Sequence, residues 1–156
     1  MNRLRVWLAD KRGSAAVEFG AVGTVLVMVT VCLVDIARMG YRSMAVKYAV
    51  ETGAIYAAKH GFNATSVSSA VTASTSASVA ATPAPYLFCG CPTGSAVTQM
   101  STTTDVTTCS ASTCTGGGAQ GGYASVSAQA NFSPYFGSVF MQYPSTLSAK
   151  AVVRLQ

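Results

Sequence analysis

Charge is scarce in this chain. Only 10% of its 156 residues are Asp, Glu, Lys or Arg, against about 25% in an ordinary soluble domain. It has a single histidine, His60, and five acids. Past residue 85 the only acid is Asp105. No carboxylate pair and no nucleophile–base–orienter set can be assembled from so few groups, which argues against an enzyme. No lysine–serine pair follows the glycines at 116–118 and 121–122, which excludes a phosphate loop. Hydrophobic residues, by contrast, make up 50% of the chain. They concentrate in the first third, whereas the middle is rich in Ser, Thr, Ala and Gly.

The formal charge of +5 is unevenly placed. Arg3, Arg5, Lys11 and Arg12 all precede Gly13, with Asp10 as the lone acid among them. Setting aside residues 1–13 removes four of ten cations and one of five acids, leaving six against four, or +2. The basicity therefore belongs mainly to a leader, the pattern of a cytoplasmic flank. No aromatic interleaving accompanies it, so no nucleic-acid partner is expected.

After the leader, Ser14 to Val34 reads SAAVEFGAVGTVLVMVTVCLV. A helix of this length spans roughly 30 Å, the thickness of a bilayer core. A secretory signal would need small residues in an A-x-A-like pattern near its end, and VCLVDIARMG offers none. A lipoprotein signal would need a small residue next to Cys32, but Val29-Thr30-Val31 precedes it. Cys32 reads as a small apolar side chain. A retained membrane helix, cut before the apolar run, is left. Glu18 favours that reading. A carboxylate costs about 2.5–3.5 kcal/mol at mid-bilayer and less near the interface, and a plain anchor has no use for one.

The stretch Arg12-Gly13-Ser14-Ala15-Ala16-Val17-Glu18-Phe19 resembles the processing site of type IV pilin-like precursors, especially the TadE/TadG-like minor pilins of the tight-adherence branch. Those precursors carry a glycine at the cleavage point and a glutamate as fifth residue of the mature chain. Counted from Ser14, Glu18 is the fifth, and Phe19 follows it. The resemblance implies a membrane-embedded aspartyl prepilin peptidase that cuts Gly13–Ser14 on the cytoplasmic side. Glycine suits such a junction because it lets the backbone approach another surface closely. Cutting creates an ammonium group on Ser14. In a staggered assembly the Glu18 carboxylate of one subunit meets the Ser14 amine of a neighbour. In low dielectric the pair attracts strongly, and a wrong register strands a charge. Glu18 is thus expected to act as a register device. Ala16, Gly20 and Thr24 recur every four positions, a small-residue face suited to close helix packing in a membrane.

The run from Asp35 to His60 contains no proline and meets Gly61, a helix stop. Met39, Val46, Val50 and Ala57 fall near one stripe, and Tyr41, Tyr48 and Ile55 on another. Ser14 to His60 is therefore read as a single helix of roughly 70 Å. Gly40 and Gly53 are expected to weaken it and to permit bending. Asp35, Arg38 and the alanine-rich Ala54-Ile55-Tyr56-Ala57-Ala58 also resemble the TadE-like pattern. His60 sits at the helix C-terminus, where the dipole favours it. Asn63 is placed to cap a short second helix carrying Val67, Ala70 and Val71 on one face. The low-complexity remainder up to Pro83 and Pro85 reads as linker.

Cys89, Cys91, Cys109 and Cys114 lie in the region beyond the membrane, where an oxidising compartment favours two disulfides. A Cys89–Cys91 bond would close a cramped ring, so bonds crossing to Cys109 and Cys114 are expected, with either pairing open. Each would contribute on the order of 3 kcal/mol. A four-cysteine zinc site has permissible spacing but suits that compartment poorly, so neither metal nor cofactor is expected. Tyr123 to Phe132 alternates polar and apolar residues, as do Leu147, Ala149, Ala151, Val153 and Leu155. These are two antiparallel strands, with Tyr86 to Cys89 as a further edge strand. The glycines at 116–118 and 121–122 read as a flexible turn region. Tyr135, Phe136, Phe140 and Tyr143 either fill core beside a loop or form an exposed surface.

The fold expected is α+β: a long membrane-spanning helix continuing into an amphipathic stem, a short second helix, and a small antiparallel β-sheet head with disulfides. Its divisions are 1–13 leader, 14–34 transmembrane, 35–61 stem, 62–85 short helix and linker, and 86–156 head. The function this implies is structural. A minor pilin or pseudopilin would pass once through the bacterial inner membrane, hold its head in the periplasm, and move to the pilus or cell surface. Its partners would be the prepilin peptidase, other pilin subunits and the pilus assembly platform. A major subunit of this branch is usually much shorter. Two alternatives stand beside it: a type II secretion pseudopilin, and a membrane-anchored binding domain that never enters a filament.

Overall fold

A computed structural model describes residues 13–94, 96–135 and 142–155 of the chain. The expected leader up to Arg12, together with Phe136, Gly137 and Phe140, lies outside the described residues. The elements are α1 (Ser14–His60), α2 (Ala64–Ala73), β1 (Tyr86–Thr93), β2 (Ala96–Thr103), a 3₁₀ turn (Val106–Ala111), β3 (Gly121–Asn131) and β4 (Thr146–Arg154). The fold is α+β, with two compact units. One comprises Met1–Arg38 with Pro134–Gln142; the other comprises Met39–Ser133 with Tyr143–Gln156.

In the first unit α1 exposes nearly every large apolar side chain it carries. Val17, Phe19, Val25, Leu26, Val27 and Leu33 are all exposed. Thr24 Oγ1 donates to Gly20 O at 2.8 Å, and Thr30 Oγ1 to Leu26 O at 2.8 Å. Both hydroxyls are thereby satisfied within the helix, which an apolar surrounding requires.

In the second unit the rest of α1 buries one stripe: Val46, Ala49, Val50, Ala54 and Ala57. Tyr41, Met44, Tyr48 and Ile55 fall on the exposed side, as a 3.6-residue period dictates. The helix ends at Gly61, whose φ of 80° suits a residue without Cβ. Asn63 then caps α2, its Oδ1 accepting from Ser66 N at 3.0 Å, and α2 buries Val67 and Val71. These side chains form one core with Leu87 of β1 and Ala124, Val126, Ala128 and Ala130 of β3. From β4, Leu147, Ala149, Ala151 and Val153 pack against its margin.

Gly53 is a packing residue rather than a point of weakness. A Cβ there would overlap Val71 Cγ2 and lie 3.1 Å from Val126 Cγ1. The absent side chain lets α1 approach α2 and β3 closely. Gly53→Ala gains helix propensity of about 1 kcal/mol but overpacks stiff β-branched neighbours at about 1–3 kcal/mol. Net destabilisation is expected in urea unfolding of the full chain. Adding Val71→Ala should recover part of it, a coupling that a double-mutant cycle measures.

The sheet order is β2-β1-β3-β4, antiparallel throughout. β1 is therefore interior and not an edge, because β2 pairs along its outer side. β2 shows no alternation in the sequence because almost all of it is exposed. β3 is the central element and is buried along nearly its whole length, not on one face alone. Its serines sit low between larger cross-strand neighbours: Ser125 lies between Tyr86 and Val152. The linker is also pinned. Beyond the last β1 partner of β3, Ala80 exchanges both backbone hydrogen bonds with Gln129 at 2.8 Å. Pro83 and Pro85 interrupt the strand between them, since neither can donate.

Disulfides join Cys89 to Cys109 and Cys91 to Cys114, with Cα separations of 5.2 and 5.8 Å. The first carries the 3₁₀ turn back to β1. Asp105 caps that turn, accepting from Thr107 N at 2.9 Å and Thr107 Oγ1 at 2.8 Å. Those hydrogen bonds hold its carboxyl below the usual range. The glycine region is ordered rather than loose. Gly117 and Gly118 have φ of 84° and 87°, and Cys114 N donates to Gly118 O while Gly117 N donates to Cys114 O, both at 2.9 Å. Gly121 and Gly122 open β3. Gly122 has no room for a side chain, because its Cβ would overlap Val106.

Candidate processing and assembly site

The residues singled out at the N-terminus occupy the start of α1. Gly13 is exposed and immediately precedes the helix, and Ser14 is its first residue. Glu18 lies one turn further on and is exposed, and Phe19 beside it is 80% exposed. Ala16, Gly20 and Thr24 are exposed too and stand at four-residue intervals on one helix face. Among the described residues, an added Cβ at Gly13, Gly20 or Gly23 meets nothing within 4 Å. Packing against the described residues therefore does not explain these glycines, in contrast to Gly53.

Only 6% of the most apolar window of α1 is buried, and α1 is the one helix among the described residues that is long and apolar enough to cross a membrane. A core helix of a soluble domain would be mostly covered. An extended exposed face of this composition calls for lipid or for other helices.

One residue past the apolar run, Asp35 is only 2% exposed. Its Oδ1 accepts from Tyr135 N at 3.1 Å and from Arg38 Nη1 at 3.4 Å. The Arg38 guanidinium stands 3.6 Å from the centroid of the Tyr135 ring. Asp35 and Arg38 were legible as a pair on the helix, but Tyr135 was not visible as their partner. The contact spans a separation of 100 residues, and no local pattern signals it. The aromatic group of the β3–β4 connection therefore divides: Tyr135 is 69% exposed, while Tyr143 meets Phe132 edge-on at 6.0 Å.

No group of three or more His, Cys, Asp or Glu side chains close enough to hold a metal occurs among the described residues. The four head cysteines are consumed in disulfides, and Cys32 is the free one.

Comparison with curated proteins and with solved structures gave no match. Comparison with protein families gave one whose limits coincide with the features above. It begins at Gly13, takes in Glu18, the apolar run, Asp35 and Arg38, and ends at Ala54 inside the buried stripe of α1. The match is to the TadE-like protein family and covers residues 13–54, the N-terminal segment to which the likeness is confined.

Proposed function

We propose that the chain is the precursor of a minor pilin or pseudopilin that enters, or primes assembly of, a tight-adherence type IV pilus used for surface attachment. A prepilin peptidase removes residues 1–13, and the remaining chain crosses the inner membrane once with its head in the periplasm. Its role is structural: the protein passes no substrate to product, and its partners are the peptidase, other pilin subunits and the assembly platform. The observation that carries this reading is the TadE-like match starting at Gly13 and continuing into a helix whose apolar surface is bare. Such a surface is satisfied first by lipid and then by neighbouring helices, which is what transfer from membrane to filament requires.

Shearing filaments from the native host and probing for the chain tests the proposal. The processed chain is expected in the sheared fraction, and its loss from that fraction is expected when the prepilin peptidase gene is deleted. Retention wholly in the membrane while filaments are made would favour the anchored binding domain instead. The head, residues 86–156, lies outside the family match, so that second outcome is the relevant rival.

A further inference from the structure

We propose that Asp35, Arg38 and Tyr135 form a clasp that seats the Tyr135 ring in the headgroup layer of the membrane. This rests on the reading of α1 as a membrane helix. The apolar run ends at Val34, which places Asp35 where hydrocarbon gives way to headgroups. The hydrogen bond from Tyr135 N to Asp35 Oδ1, 3.1 Å long, fixes Tyr135 at that same level. Arg38 lies one turn further along the helix, about 4.5 Å on, and its guanidinium covers the Tyr135 ring at 3.6 Å.

Three features select a lipid surface as the occupant. The first is continuity: Leu33, Val34 and Ile36 are 59%, 46% and 40% exposed, so bare apolar surface runs up to the clasp without a break. The second is the chemistry of the ring. Tyr135 is 69% exposed, with an apolar body and a polar tip, the side-chain type that concentrates at both faces of a bilayer. The third is the cation above it, since an arginine just beyond the hydrocarbon reaches lipid phosphate. Asp35 is the positioning residue. Buried at 2% exposure, it touches no lipid and acts by holding the Tyr135 backbone and the Arg38 head together.

The full chain contains one tryptophan, in the leader, so Trp7→Phe gives a silent background. Tyr135→Trp in that background then reports its own depth in phosphatidylcholine–phosphatidylglycerol vesicles with brominated acyl chains. Its emission is expected to be quenched by bromines near the headgroup more than by bromines near the chain ends. Val25→Trp, within the apolar run, is expected to show the reverse order. Adding Asp35→Ala should abolish the shallow quenching of Tyr135→Trp and leave Val25→Trp unchanged, whereas Asp35→Asn, which keeps an acceptor oxygen, should preserve it. Quenching of Val25→Trp without quenching of Tyr135→Trp overturns the clasp alone. Quenching of neither overturns the membrane reading beneath it. Full shallow quenching in the Asp35→Ala variant overturns the role of Asp35.

Discussion

Glu18→Ala is expected to remove the protein from filaments while leaving it inserted in the membrane and cut after Gly13. Insertion should not suffer, because the substitution takes a carboxylate out of an apolar helix. Cleavage should not suffer, because the proposed cut lies at Gly13–Ser14, four residues before Glu18, and the leader is unchanged. Assembly should fail for an electrostatic reason. In the filament the Ser14 ammonium of one subunit would face an alanine of its neighbour and remain a buried, unpaired charge. Removing one partner of a buried ion pair costs about 3–5 kcal/mol, and each 1.4 kcal/mol is about tenfold in equilibrium constant. Incorporation should therefore fall by roughly two to three and a half orders of magnitude. Glu18→Gln, which keeps a hydrogen-bond acceptor, should fall less. The ratio of chain in sheared filaments to chain in membranes is the quantity to measure. An unchanged ratio for Glu18→Ala would remove the register role.

The second large effect concerns the head. Among the described residues its main core cluster is built from small side chains: valines and alanines dominate, with Leu87 the one larger aliphatic buried in it, while the aromatic Phe88, Tyr123 and Phe132 are buried outside that cluster. Such a core gains little per residue from burial, so covalent links count for more. Replacing Cys89 and Cys109 together with serine should cost about 3 kcal/mol by restoring loop entropy to the unfolded chain. Replacing Cys91 and Cys114 should cost a similar amount by the same term. The Cys89–Cys109 loss should be the larger of the two in practice. Both of its cysteines are buried, at 5% and 2% exposure, so two hydroxyls would enter the interior as well. Cys114 is only half-buried. Against a typical total of about 5–15 kcal/mol, losing both bonds should leave the head largely unfolded at growth temperature. Urea unfolding of the detergent-extracted full chain, followed by circular dichroism of the sheet, gives the midpoints. Equal midpoints for the wild type and the four-serine variant would contradict the assignment.

The long helix was legible because three independent signals coincide along it: an apolar run of bilayer length, a 3.6-residue stripe after it, and Gly61 at its end. β3 and β4 were legible from their period-two alternation. β2 was not, because a strand exposed on both faces has no apolar side to mark it. The central position of β1 was hidden for the same reason, since it depends on β2 being there. Gly53 reads in the sequence as a weak point of the helix and Gly122 as part of a flexible turn, and only the packed neighbours Val71 and Val106 show why a side chain is excluded. At the N-terminus the situation differs. Gly13, Ser14 and Glu18 lie within six consecutive residues, so their spacing carries the whole signal and the fold adds the exposure of the helix around them. The Asp35–Tyr135 contact stands at the other extreme, joining residues that share no local pattern.

The mass of the intact chain extracted from membranes of its native host tests the central claim most directly. With the prepilin peptidase present, loss of residues 1–13 and a mature chain beginning at Ser14 are expected, and with the peptidase deleted, the full-length mass. A full-length chain in the presence of the peptidase, or a chain cut beyond Val34, would contradict that claim.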